Sequence, residues 1–327
     1  MKLLLTTLAL FAALLAPAFA EDFPVSVEHA YGTTTIPAPP QRVVSVGMHE
    51  QDFLYALGIA PVGVKEWWGE HPYATWPWAD EARKAVNATP EVMTADGINL
   101  EWVAAQRPDL IIAIYVTMDE AMYHNLSKIA PVVVTPAGYQ HWGAPWQAEL
   151  TIIDQATSGS TSRSDAIINS FADRFAAVRQ QYPQLEGKTG TNLYLREDGS
   201  FDAWSSNDLA SKFLIDLGLT FPAELDKLAQ PDNRITISPE FIELIDMDVA
   251  IWPADNAEIQ NKVEAMSLYQ GLRLATEGRS IWLDDGDGLA SAAMSWQTPL
   301  SLGYLLDLLP PKLAAAVDGD PATAIPD

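Results

Sequence analysis

The stretch "NLEWVAAQRPDLIIAI" (Asn99–Ile114) is written a second time, in other residues, as "SPEFIELIDMDVAIWP" (Ser238–Pro253). Each opens on a residue suited to cap a helix, carries glutamate third (Glu101, Glu240) and follows it with an aromatic (Trp102, Phe241). Each then reaches an aspartate, Asp109 or Asp248, just ahead of an apolar, β-rich run. That order spells a short amphipathic helix feeding a buried strand. The unit therefore exists once in each half of the chain.

Two further echoes surround it. "RVVSVG" with "FLYALG" in the first half matches "TNLYLRE" with "KFLIDLG" in the second, each a strand, a loop and a helix ending at Gly58 or Gly218. Glycine just past a helix is the left-handed stop that such ends favour. "KIAPVVVTPAGY" and "GRSIWLDDGDG" form the third pair. Strands alternating with helices imply parallel sheets covered on both faces. The predicted fold is α/β, with two lobes, each a mainly parallel sheet flanked by helices.

Between the halves runs "SGSTSRSDAIINSFADRFAAVRQQYPQLEGK". Ser160 to Ser164 offer caps, Ile167, Ile168, Phe171, Phe175 and Val178 fall on one helical face, and Pro183 closes the run. One helix of about 20 residues would span roughly 30 Å. A stiff connector is a poor hinge, so limited opening is expected. The boundaries read as 1–20 signal peptide, 21–158 first lobe, 159–186 connecting helix and 187–327 second lobe.

The first twenty residues carry Lys2, an apolar run from Leu3 to Leu15, and a small-residue cleavage pattern at Ala18-Phe19-Ala20. The run is short of the roughly 20 apolar residues a spanning helix needs. With no cysteine in the sequence there is no disulfide and no thiol to carry a lipid. The expected location is the periplasm, free of the membrane. A net charge of −24, from 19 basic and 43 acidic side chains, argues against partners that require basic patches, namely nucleic acid and anionic lipid.

In open parallel sheets ligands collect beyond the carboxyl ends of the strands. There the sequence places Met48, His49, Trp67, Trp68, Tyr115, Tyr139 and Trp142 in the first half, and Arg196, Trp204 and Trp252 in the second, with Asp284 and Asp285 after "SIWL". Tryptophan and tyrosine bury large faces and keep a polar handle, so a ring-lined crevice between lobes suits a large, semi-polar ligand. Trp76 and Trp78, beside Pro77, read as packing of the first-lobe insertion. Trp102, Trp282 and Trp296 read as core. Arg196 is either a carboxylate's partner or a ligand clamp, and the clamp is favoured.

No metal site is expected, because His49, Glu50, Asp52, His71 and His141 lack paired ligand spacing. "DDGDG" lacks the glutamate a calcium loop needs at its twelfth position, where Ser295 stands. Neither a nucleophile elbow, a phosphate loop nor a zinc-protease motif occurs, so an enzyme is not expected.

With these residues in view, the chain resembles the periplasmic iron–siderophore binding proteins of ABC importers, the group with a single helical backbone between lobes. The resemblance rests on "RVVSVGMHEQDFLYALGIAPVGVKEWWGEHPYATWPWADE", "EVMTADGINLEWVAAQRPDLIIAIY", "LSKIAPVVVTPAGY" and "PWQAELTIIDQAT". It implies a ferric siderophore as ligand, no covalent cofactor, iron held by the chelator rather than the protein, and a monomer that docks on an inner-membrane permease dimer. It also implies one docking acid near the start of each lobe's first helix. Asp52 fills the first place; Lys212 stands at the second, with Asp208 one turn earlier as the substitute. The acidic balance favours a neutral or cationic trihydroxamate chelate over a trianionic catecholate one. Haem or cobalamin held in the same architecture is the alternative, with Tyr115, Tyr139, His49 and His141 available to haem iron.

Overall fold

The computed structural model describes residues 23–326, except 254–256 and 284–287. The expected signal peptide and the tip residues Asp284 and Asp285 lie outside the described residues.

The first half carries a five-stranded parallel sheet in the order Glu91–Met93, Gly63–Lys65, Val43–Ser45, Leu110–Ala113, Val132–Val134. Four of its strands are buried along their whole length, as continuous apolar runs in covered sheets are. The second half repeats the theme with three parallel strands, Ser280–Trp282, Val249–Trp252 and Gly190–Asn192.

The duplicated aspartates do the same work in both sheets. Asp109 accepts hydrogen bonds from the backbone N–H groups of Gln41 (2.8 Å) and Arg42 (2.7 Å), at the entry to the neighbouring strand. Asp248 accepts from the N–H of Thr189 (2.9 Å), at the entry to its own neighbour. Each carboxylate thus pins the register of two parallel strands that share no turn. The helix before Asp109 (Leu100–Ala105) is capped by Asn99, whose side chain accepts from the Trp102 N–H. Its counterpart before Asp248 is the tighter 3₁₀ form, Pro239–Ile245, with Phe241 out of helical geometry.

The second half also holds a sheet of a different kind. The run read as one strand, "TNLYLRE", divides at Leu193. Its front joins the parallel sheet, and Tyr194–Leu195 turns into an antiparallel sheet with Phe201–Trp204 and Arg234–Ile237. The turn is "EDGS", with Gly199 at φ 82° and Asp198 accepting from the Ser200 N–H (3.0 Å). Asp-Gly is the strongest short hairpin signal, and here it governs.

The connecting helix spans Ser162–Gln181, twenty residues, with Phe171 and Phe175 buried. Its start is fixed by buried Asp154, which accepts from the Ser164 N–H and from Arg163 Nε, both at 2.7 Å. It is not the sole tie between the halves. The C-terminal helix Pro299–Ala316 packs Leu302, Leu305, Leu309 and Leu313 into one core with Phe53, Leu54, Trp146, Phe171 and Phe213. Each such side chain contributes about 1.5–3 kcal/mol when fully buried. A core continuous through both halves leaves little freedom for wide opening.

Candidate ligand-binding cleft

The first-half wall is assembled by one carboxylate. Glu50, fully buried at the start of the helix Glu50–Ala56, accepts from the backbone N–H groups of Ile114 (2.7 Å), Tyr115 (2.9 Å) and His49 (3.2 Å). It thereby ties the loop after Val43–Ser45 to the loop after Leu110–Ala113. Gly47 makes room for it, since a Cβ at that position would lie 1.7 Å from Glu50 Oε1. The outcome is that His49 and Tyr115 stand side by side, rings stacked at 4.0 Å.

His49 is buried and both ring nitrogens face acceptors. Nδ1 lies 2.8 Å from the carbonyl oxygen of Trp296, and Nε2 lies 2.9 Å from Glu149 Oε2. A carbonyl oxygen can only accept, so Nδ1 carries a proton, and a second proton is shared between Nε2 and Glu149 Oε2, since the pKa of His49 and, through burial, that of Glu149 are both raised. Burial alone would pull the ring toward its neutral form. Glu149, Glu50 and the Trp296 carbonyl together outweigh it and raise the His49 pKa. The imidazole therefore clasps three elements: its own helix, the helix Trp146–Ser158 that carries Glu149, and the helix Leu289–Trp296 of the second half.

Asp52 is enclosed in the same region, which corrects the expectation that it is a docking acid. It is 1% exposed, and its Oδ2 accepts from Trp78 Nε1 and from Thr298 Oγ1, both at 2.8 Å. Burial pushes its pKa up to about 6 from 3.8. A carboxyl that holds its proton more tightly when folded stabilises most in acid, and that share is lost as pH rises from 3.8 through about 6. The stability of Asp52→Asn relative to the wild type is therefore expected to rise across this interval in urea unfolding; a pH-independent difference would count against it.

The tryptophans gather round Trp296. Its ring lies 4.5 Å from Trp67, 4.2 Å from Trp68, 5.3 Å from Trp76 and 5.8 Å from Trp78. Trp296 is itself buried, as expected for core, yet it floors a cavity of about 420 Å³. On the first-half side His49, Trp67, Trp68, Tyr115 and Trp142 line that cavity. From the second half come Tyr194, Trp204, Asp208 and Asp232, with Met294, Ser295 and Gln297 beside Trp296. Trp142 stands edge-on to Tyr115 at 4.4 Å, its Nε1 donating to Thr117 Oγ1. Burial raises the Tyr115 pKa, so its phenol stays protonated.

Other expected residues lie elsewhere. Trp252 is corrected to core: 1% exposed, it donates to Ser280 Oγ (3.0 Å) and stacks on Trp282 at 4.9 Å. Arg196 is corrected to the carboxylate partner, because it starts the hairpin turn and reaches across it to Asp202 Oδ2 at 2.7 Å. Met48 is half-buried and joins through its backbone, its N–H donating to the Tyr115 carbonyl (3.2 Å). Tyr139 is exposed and opens on a neighbouring cavity with Trp146 and Phe213. Asp208 lies on the cleft wall itself rather than on an outward docking face.

No lysine or arginine is among the described residues that line the cavity, and two aspartates are. Arg234 stands 3.8 Å from Asp232. Among the described residues no group of three or more His, Asp or Glu side chains is placed to hold a metal ion. Trp296 Nε1 is buried and has no hydrogen-bond partner among the described residues. The arrangement suits a bulky body with apolar faces, little negative charge and a few acceptor oxygens, carrying any metal inside its own donors.

Comparison with known proteins agrees with this geometry. A probable siderophore-binding lipoprotein of Bacillus subtilis, YfiY, is 28% identical over 80% of each chain. A periplasmic solute binding protein from Mycobacterium smegmatis, of known structure, is 34% identical, with a TM-score of 0.79 over 90% of this chain and 98% of that one. The Streptococcus pneumoniae iron-uptake substrate-binding protein PiaA, in complex with ferrichrome, is 26% identical, with a TM-score of 0.77 over 90% and 99%. Residues 43–285, which include both parallel sheets and the cleft residues from His49 to Asp232, match one family, and the chain belongs to it: the periplasmic binding proteins.

Proposed function

We propose that the protein is the solute-binding component of an ABC importer, capturing a ferric siderophore between its two halves and delivering it to a permease for iron uptake. The observation that carries this reading is the cavity of about 420 Å³ walled by rings from both halves. A ferric chelate brings its own oxygen ligands, so the protein need only cover it and donate to its rim. With two aspartates and no basic side chain among the described wall residues, a neutral or cationic hydroxamate chelate is favoured over a trianionic catecholate one. The ferrichrome complex among the related structures supports the same choice.

In this reading the protein acts in the periplasm, as a monomer. Since Asp52 is enclosed, it makes no contact with the permease dimer on docking. Haem capture is disfavoured by the same contacts that build the wall. Both nitrogens of His49 are engaged and the Tyr115 phenol resists ionisation, which leaves haem iron no ready axial ligand from either.

The test is tryptophan fluorescence titrated with a ferric trihydroxamate, ferric enterobactin, haem and cobalamin. Strong, saturable quenching is expected, with the trihydroxamate bound tightest. Tighter binding of the catecholate overturns the hydroxamate preference, and a Soret band with haem, without quenching by either ferric chelate, overturns the siderophore reading.

A further inference from the structure

The floor of the cavity is a second-half ring hung on first-half groups. Trp296 ends the helix Leu289–Trp296, and Gln297 and Thr298 turn the chain into the helix Pro299–Ala316. Gln297 makes that turn at φ 50°, a left-handed backbone uncommon for a residue with a side chain, and its Nε2 donates to the Met294 carbonyl (2.8 Å). Such a conformation persists where the surroundings over-determine it. Here the turn is gripped on both sides. The Trp296 carbonyl lies 2.8 Å from His49 Nδ1, and Thr298 Oγ1 donates to Asp52 Oδ2 at 2.8 Å. These partners are 247 and 246 residues apart in sequence, so both grips belong to the fold and not to the local chain.

The same Asp52 oxygen accepts from Trp78 Nε1, also at 2.8 Å. Trp78 stacks on Trp76 with ring centres 5.0 Å apart and planes 6° from parallel. Both rings stand against Trp296, at 5.8 and 5.3 Å. One carboxylate oxygen thus fixes the backbone two residues past the floor ring and one of the ring pair packed against it. Asp52 itself is not among the residues that line the cavity. Removing it would leave the Thr298 hydroxyl and the Trp78 indole without their shared acceptor.

We infer that Asp52 is a positioning residue for ligand capture: acting through Thr298 and Trp78, it holds the Trp296 floor in the place that receives the chelate. The inference rests on the ferric-chelate reading and gives an enclosed acid a part in affinity. Rings already in place need no ordering when the chelate arrives.

The test is calorimetric titration of the full chain and its variants with ferrichrome and with ferric enterobactin, beside near-ultraviolet circular dichroism of the packed indoles and thermal unfolding. Asp52→Ala frees Trp78 and Trp296 together, which should weaken the tighter-binding chelate roughly tenfold and alter the dichroism. Burial favours the uncharged form of Asp52, which asparagine matches in shape and in its acceptor oxygen. Asp52→Asn should therefore keep the dichroism and hold affinity within about twofold. Thr298→Val removes one of the two bonds and should cost roughly threefold, while Thr298→Ser stays within about twofold. Lower thermal stability of Asp52→Ala with affinity and dichroism at wild-type values overturns the inference while the chelate reading stands. If Asp52→Ala does not fold, the Thr298 pair decides by the same two readouts. Binding of neither chelate by the wild type overturns the chelate reading and the inference with it.

Discussion

Replacing Glu149 by alanine is expected to destabilise the protein by about 3–5 kcal/mol, the cost of leaving one member of a buried ion pair alone. Glu149 is 2% exposed and its carboxylate is 2.9 Å from the buried imidazole of His49. Without it, burial is opposed only by Glu50 and the Trp296 carbonyl, and the His49 pKa falls. The clasp between the helix Trp146–Ser158 and the first-half wall is lost with it. The sign with pH follows from the raised His49 pKa. Its contribution is fully present below the unfolded value of 6.5 and is lost as pH rises through the folded value. Urea unfolding of wild type and variant at several pH values measures this. The gap should be widest on the acidic side and narrow as pH rises, with Glu149→Gln, which keeps an acceptor, losing less. A loss under about 1 kcal/mol, the level of an exposed pair, would show that the clasp is not needed.

Trp68→Ala is expected to have the opposite profile. The ring is 38% exposed, so truncating it should cost little stability, yet it lines the cavity beside His49. Aromatic anchors at the centre of a binding surface cost about 2 kcal/mol or more when truncated, which is roughly thirtyfold or more in affinity. Calorimetric titration with a ferric trihydroxamate checks it, beside thermal unfolding of the free variant. Affinity unchanged within about threefold would remove Trp68 from the binding wall, and lost stability would make it a packing residue.

What the sequence conveyed, and what it did not, follows from the range of each signal. The paired units around Asp109 and Asp248 were legible because capping, helical period and apolar runs act locally. Why both carry an aspartate was not, since its partners at Gln41, Arg42 and Thr189 are 59 to 68 residues away in sequence. Trp252 was misplaced because a strand tip gives position but not face. The pleat turns Val249 and Ile251 to one core and Ala250 and Trp252 to the other. Arg196 was misplaced because a hairpin signal, "EDGS", stood directly behind it and redirects the chain. Asp52 read as exposed because acids at helix starts usually are; its burial depends on Thr298, contributed by the far end of the chain. Trp296 was read as core, and it is buried, but nothing local reveals that its ring also floors a cavity.

The most direct measurement is to locate iron by anomalous scattering in crystals of the protein loaded with a ferric trihydroxamate. The expected result is one peak inside the ring-lined cavity, between Trp68 and Tyr115 on one side and Tyr194 and Trp204 on the other, with every iron ligand supplied by the chelator. Iron bound to protein carboxylates, or a chelate seated outside that cavity with these rings untouched, would contradict it.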